Sequence, residues 1–277
     1  MKKSLLSKIA LGAAVVPCAL VMAACGTAQI DTKATVNKGG NYVATSATAV
    51  SEYVAQETVT TEIKSGYHFT AESEMAGAKT FMNAFILTDE NGVATESAIK
   101  LEVKAEEGVI KYSVYVKDGY AYLDMQIPGT TMKYKTPLLL GQEADYFLTG
   151  DEMQDAQVSI TTAATEFLEH FQGTLSMGQG SETLYEVAKD GDNAKYHAKL
   201  TKEFSAETPF GTYNYKGLEM YLIFENNAFV GGTLDASATL TSGEEVQNVS
   251  QSMVVTTFNG TIQYPDLTSY TSLEDLL

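Results

Sequence analysis

Between residues 67 and 117 apolar side chains recur at every second position. Tyr67, Phe69 and Ala71 alternate with His68, Thr70 and Glu72, and Ile99, Leu101, Val103 and Ala105 alternate with Lys100, Glu102 and Lys104. Ile110, Tyr112, Val114 and Val116 alternate with Lys111, Ser113, Tyr115 and Lys117. A period of two puts one face of a strand on a core and the other toward water, which predicts half-buried antiparallel strands. The punctuation agrees: Asn91-Gly92, Asp118-Gly119 and Asn226-Asn227 supply the positive φ angles of tight primed turns. Pro128-Gly129 suits the centre of a type II turn leading into a strand over Thr131 to Lys135. Consecutive strands should therefore pair as a meander. A second set is expected near Thr183 to Ala188, Ala194 to Phe204, Tyr213 to Glu225, Ala228 to Leu240 and Val249 to Tyr264, with Pro265 ending the last.

Two stretches change period. Val50, Tyr53, Val54 and then Val59 or Ile63 recur at helical spacing, predicting a helix from Ser46 to about Lys64, weakened by Thr58 to Thr61. From Asp151 to Phe171, residues Ile160, Ala164, Phe167 and Phe171 fall on one helical face. The order is thus helix, five or six strands, helix, about five strands and a short polar tail. It predicts an α+β fold: a mainly antiparallel, strongly curved sheet, a half-open barrel, with helices packed on its concave face. Residues 46–277 are expected to form one β-rich domain, with two smaller sheet domains as the alternative.

The N-terminus follows different rules. Lys2, Lys3 and Lys8 precede an apolar run from Ile9 to Ala24 that is interrupted by Gly12 and Pro17. It is shorter than the roughly 20 apolar residues of a stable span, so residues 1–24 are expected to be a signal peptide. Val21-Met22-Ala23-Ala24-Cys25-Gly26 resembles a lipobox, with Met22 where Leu, Val or Ile is usual. The resemblance implies that Cys25 carries a diacylglycerol, with palmitate-type acyl chains. It places the protein on the extracytoplasmic face of the cell membrane, as a lipoprotein of the cell envelope. Cys18 is the rival acceptor, but Val15, Val16 and Pro17 lack the small side chains a peptidase needs. Two acyl chains suffice for stable anchoring where one is marginal. Residues 25–45, polar, small and glycine-containing, are expected to be the lipidated Cys and a flexible tether. Cys18 and Cys25 are the chain's two cysteines, so residues beyond 25 have no disulfide and no Cys metal site.

Charge narrows the partners. Formal net charge is −17, and all 18 basic residues are Lys. An acidic chain without the guanidinium fork is a poor nucleic-acid ligand, and its surface repels anionic head groups, leaving the membrane contact to the Cys25 lipid. Motifs for zinc hydrolysis, a nucleophile elbow, a redox Cys pair and a dinucleotide site are absent, so no enzyme activity, catalytic residue, metal or cofactor is expected. Gly77-Ala78-Lys79-Thr80 lacks the earlier glycine of a phosphate loop and reads as a strand start. His68 and His197 fall on the polar sides of their strands, and His170 neighbours Glu166 and Glu169, so all three are expected on solvated surface. Asp190-Gly191-Asp192-Asn193 lacks the remaining positions of a calcium loop and reads as a hairpin tip. With 16 Tyr and no Trp, Tyr213, Tyr215 and Tyr221 on one strand face, and Tyr120 with Tyr122, are either ordinary strand packing or a stacking platform for a glycan or a protein.

The early helix, Tyr67-His68-Phe69-Thr70-Ala71, the hairpin from Tyr112 to Leu123 through Asp118-Gly119, and Met132-Lys133-Tyr134 behind it resemble the LolA/LolB and LppX/LprG type of lipoprotein, including LolA-like lipoproteins of Gram-positive bacteria. That resemblance implies a half-barrel with a cavity for acyl chains. Its candidate lining is Ile160, Ala164, Phe167 and Phe171 on the helix, with Tyr112 and Val114 on a strand. The function it implies is binding or carrying a lipid or other hydrophobic ligand. The alternative is a surface interaction module, an adhesin or envelope scaffold, without a small-molecule ligand. A wide apolar cavity under the helices would favour the first, and a closed, filled core the second.

Overall fold

The computed structural model describes residues 26–28, 32–56, 66–88, 94–106, 108–137, 163–178 and 180–272. The expected signal peptide, Cys25, the turn Asn91-Gly92, Ile160 and the first part of the expected helix Asp151 to Phe171 lie outside them. The strands are β1 (Gly26–Ala28), β2 (Val43–Ala44), β3 (Gly66–Met75), β4 (Ala78–Thr88), β5 (Ala94–Ala105), β6 (Gly108–Lys117), β7 (Tyr120–Ile127) and β8 (Thr130–Pro137). They continue with β9 (Glu182–Asp190), β10 (Asn193–Lys202), β11 (Phe204–Thr208), β12 (Gly211–Glu225), β13 (Ala228–Ser242), β14 (Glu245–Thr257), β15 (Gly260–Ile262) and β16 (Thr271–Ser272). The helices are α1 (Ala47–Val54) and α2 (Ala163–Ser176).

Fourteen strands form one open sheet in the order β16-β8-β7-β6-β5-β4-β3-β14-β13-β12-β10-β9-β2, with β11 on β12. Pairing is antiparallel except for β16 on β8, and β1 pairs in parallel with β15 outside this sheet. Hairpins supply most neighbours, as turn chemistry predicts. Asp118-Gly119 and Asn226-Asn227 have positive φ at both positions, and Gly129 has φ 84°. One non-local pair, β14 on β3, joins the two meanders from Val249 beside Met75 to Thr257 beside Tyr67. That pair makes one sheet out of what would otherwise be two.

Because neighbours in register share a face, the sheet sorts its side chains into two layers. Tyr67, Phe69, Ala84, Met253, Val255, Leu234, Met220, Leu222, Tyr196 and Ala198 look one way and are buried in the main core. On this face α2 packs on β12 and β13, and Tyr53 of α1 meets Tyr196 and Phe224 at ring distances of 5.0 and 5.1 Å. Ser46 caps α1 by accepting from Ala49 N–H at 3.1 Å. No helix among the described residues is long and apolar enough to cross a membrane.

The opposite face is covered as well. Residues 32–42 fall within the stretch whose composition suggests a tether, and they run across the strands as a strap. The Thr32 carbonyl accepts from Asn83 Nδ2 at 2.6 Å, Lys33 pairs with Glu72, Ala34 is buried, and Lys195 Nζ donates to the Gly39 carbonyl at 2.7 Å. A Cβ on Gly40 would stand 2.8 Å from the Ala188 methyl, so the strap's close approach to β9 needs glycine. Over the other half of this face lies the C-terminal segment. There Tyr264 donates to Glu96 Oε2 at 2.9 Å, and Tyr270 meets Tyr122 edge-on at 5.5 Å.

Candidate functional site: a polar groove beside the strap

The strap corrects the expectation that the histidines are solvated. His68 and His197 are 6% and 8% exposed. Both sit on the nominally polar side of their strands, but the strap shields that side from water. His68 stacks on Phe85 at 3.9 Å, and its Nε2 lies 3.0 Å from Asn83 Oδ1 and 3.1 Å from the Thr32 carbonyl. Burial holds its pKa below the ordinary histidine value, with the bonds to Asn83 and Thr32 opposing in part. His197 bridges two carboxylates: Nδ1 is 2.9 Å from Glu186 Oε2, and Nε2 is 2.8 Å from Glu219 Oε1. An imidazolium satisfies both at once because it carries an N–H on each nitrogen. Tyr221 stacks on the His197 ring at 4.3 Å, and Tyr42 of the strap closes over it edge-on at 5.9 Å. Burial pushes the Tyr221 phenol up to about 12. Glu219 is pushed up by burial, but the His197 hydrogen bond with the charges of Lys199, His197 and Lys38 outweighs this and holds it below the usual carboxylate range.

Beyond Lys33 of the strap the same face opens into a groove of about 910 Å³. Strand register builds it from two rows of side chains perpendicular to the strands. The first row runs Lys199, Glu219, Asp235, Ser252, Glu72, Phe81 and Glu102 across β10, β12, β13, β14, β3, β4 and β5. The second runs Ser237, Ser250, Glu74, Lys79 and Lys104. Lys216 joins them because it is the extra residue of a β-bulge, between Tyr215 paired with Ala238 and Gly217 paired with Ser237. Ion pairs knit the lining together: Lys79 to Glu74 at 3.0 Å, Lys104 to Glu102 at 2.7 Å, Lys199 to Glu219 at 3.6 Å. The hydrogen bond from Lys104 is the main cause holding the Glu102 carboxyl low. Six of the chain's 18 lysines line the groove against five carboxylates, so the groove is close to charge balance within a chain of net charge −17.

That bulge also overturns the expectation that Tyr213, Tyr215 and Tyr221 share one strand face. It reverses the facing of everything before it, so Tyr213 and Tyr215 lie on the core side, with Tyr215 stacked on Phe204 at 4.9 Å, while Tyr221 lies under the strap. Tyr120 and Tyr122 do share a face, their rings 6.2 Å apart. Of the candidate cavity residues, Ala164, Phe167 and Phe171 are 0–1% exposed in the main core beneath α2. Val114 is buried and Tyr112 half-buried on β6, toward the other half of the same sheet face. Ile160 and the lipidation candidate Cys25 lie outside the described residues. The strand Glu182–Asp190 and its partner meet at a turn through Gly191, φ 57°, so Asp190-Gly191-Asp192-Asn193 is a hairpin tip. No group of His, Cys, Asp and Glu able to hold a metal occurs among the described residues.

No family model matches the chain. It is 24% identical over 196 residues to a phosphomannomutase of Solanum lycopersicum, covering 65% of this chain and 77% of that protein. Identity at this level does not establish a family. Among solved structures, the S-type phycobiliprotein lyase CPES of Guillardia theta aligns over 76% of this chain and 93% of that one, at 8% identity and a TM-score of 0.14, too slight a likeness to bear on fold or function.

Proposed function

We propose that the protein is an exported lipoprotein, held on the extracytoplasmic face of the membrane by a diacylglyceryl group on Cys25, whose β-domain is an interaction module rather than an enzyme. The observation that carries this reading is the contrast between its two faces. The core beneath α2 is filled by fully buried Phe167 and Phe171, whereas the recess beside the strap is lined mostly by lysines, carboxylates and serines. A lipid carrier needs the reverse. The anchor's position supports the same reading. Gly26, next to Cys25, pairs with Gly260 just past the end of β14, while the groove crosses β14 at its middle, at Ser250 and Ser252. At about 3.3 Å per residue, Ser250 and Thr257 are some 20 Å apart, so a lipid on Cys25 directs the groove away from the bilayer.

The half-barrel with helices on its concave face, and the lipid-carrier function that goes with it, is the second reading. It is favoured by Ile99, Leu101, Tyr112, Leu123, Met125 and Tyr134, which share the core-side face of β5 to β8 and are only half-buried. Two measurements test the primary proposal. Cys25→Ala should leave an unprocessed precursor that takes up no labelled fatty acid, and the wild-type lipoprotein should fail to bind a fluorescent fatty acid. Labelling of the mutant at mature size removes the anchor, and tight binding of the probe by wild type moves the function to the second reading.

A further inference from the structure

The two rows of the groove have a chemistry that points to a ligand class. The lining mixes groups that can only donate, the lysine ammoniums, with groups that can only accept, the carboxylates of Glu72, Glu74, Glu102, Glu219 and Asp235. Ser237, Ser250 and Ser252, which do both, stand among them. A ligand hydroxyl is itself donor and acceptor, and it gains most where a charged donor and a charged acceptor stand side by side, because charge-assisted hydrogen bonds are roughly twice as strong as neutral ones. An anionic polymer would meet five carboxylates as well as the lysines, inside a chain of net charge −17. A basic peptide would meet the six lysines. With the two signs nearly balanced, the groove attracts neither, and the ligand that fits is uncharged and rich in hydroxyl groups.

Shape adds a second constraint. The first row spans seven neighbouring strands, and at about 4.8 Å per strand its length is roughly 29 Å. Such a site suits an extended chain better than a single small molecule. A Cβ on Gly217 would stand 2.8 Å from Ser237 Oγ, so the bare backbone there lets that hydroxyl lie against the floor. Phe81, in line with Glu72 and Glu102 and with Lys33 Nζ 5.7 Å from its ring centroid, is the one aromatic side chain in the groove's lining.

We propose that the groove binds a neutral glycan chain, laid across the strands from β10 to β5. This rests on the reading of the β-domain as an interaction module and names what the module holds. Ser250 and Ser237 are both exposed, so Ser250→Phe obstructs the groove at its middle without disturbing the core. The full-length lipoprotein in detergent micelles is titrated calorimetrically with a panel of neutral oligosaccharides, alongside polyphosphate and oligolysine, at low and high salt. The expected result is binding of a neutral oligosaccharide that changes little with salt, since the ligand carries no charge to screen. Ser250→Phe should bind about ten-fold or more weakly, the scale of losing one or two charge-assisted hydrogen bonds, with an unchanged melting temperature. Lys216→Ala, at the bulge, should weaken binding in the same direction by a smaller factor. If polyphosphate or oligolysine binds instead, steeply dependent on salt and abolished by Ser250→Phe, the glycan assignment is overturned while the interaction module survives. If no oligosaccharide or charged polymer binds and a fluorescent fatty acid does, both readings fail together.

Discussion

Truncating Phe167 separates a filled core from a ligand cavity. The side chain is 1% exposed on α2, between Ala164 and Phe171, which are fully buried, and the helix lies on β12 and β13, whose inward residues include Met220, Leu222 and Leu234. Phe167 is not among the residues that line the groove, so Phe167→Ala removes contacts within the core and leaves a hole there. Such substitutions cost about 3–5 kcal/mol, from the lost transfer free energy and the cavity together. With a urea slope of about 2–3 kcal/mol/M, the midpoint should fall by roughly 1–2 M at unchanged slope. The assay is urea unfolding of the full-length protein, followed by circular dichroism, with fluorescent fatty-acid binding on the same samples. Tyr112→Ala, half-buried on β6, is the comparison and should cost clearly less. A loss below about 1 kcal/mol for Phe167→Ala, together with fatty-acid binding that the substitution abolishes, would refute the filled core and the functional reading built on it.

Acid should act through two imidazoles, the buried His68 and the half-buried His170. Burial holds His68 and His170 below the ordinary histidine value, so between the lowered values and about 6.5 the unfolded chain binds protons that the folded chain does not. Stability is fully present above that window and falls as pH drops through it. His68→Gln should flatten the dependence of the urea midpoint on pH, and an unchanged slope would remove His68 from the account. At the β12–β13 turn, Asn226 and Asn227 hold φ of 51° and 61°. Asn226→Val should lower stability by about 1–2 kcal/mol and Asn226→Gly by only a few tenths, because a β-branched side chain crowds the backbone at positive φ. Thermal melts that do not distinguish the two variants would contradict the assigned turn.

Period-two alternation and turn chemistry were sufficient to place β3, β5, β6, β7, β8 and the hairpins of the second half, because each depends on a few consecutive residues. The helix ends were harder to read, with α1 stopping at Val54 and α2 running on to Ser176, since helix limits depend on what the helix packs against. The candidate site was legible only as scattered polar positions. Glu72 and Ser252, or Lys104 and Ser237, lie more than a hundred residues apart in the sequence and line one groove because β14 pairs with β3. That pairing is a non-local choice with no local signature. The Lys216 bulge turned Tyr213 and Tyr215 to the core, since one inserted residue reverses every facing before it. The histidines show the same limit: alternation alone puts His68 and His197 on the water side of their strands. Their burial depends on residues 32–42, whose small polar composition carries no sign that they cross the sheet. Local sequence therefore determined the strands, the turns and the lipobox-like segment at Cys25, because those follow from short-range sterics and spacing. Tertiary structure decided which faces meet water, and with them the groove, because burial is set by whatever distant segment comes to lie on top.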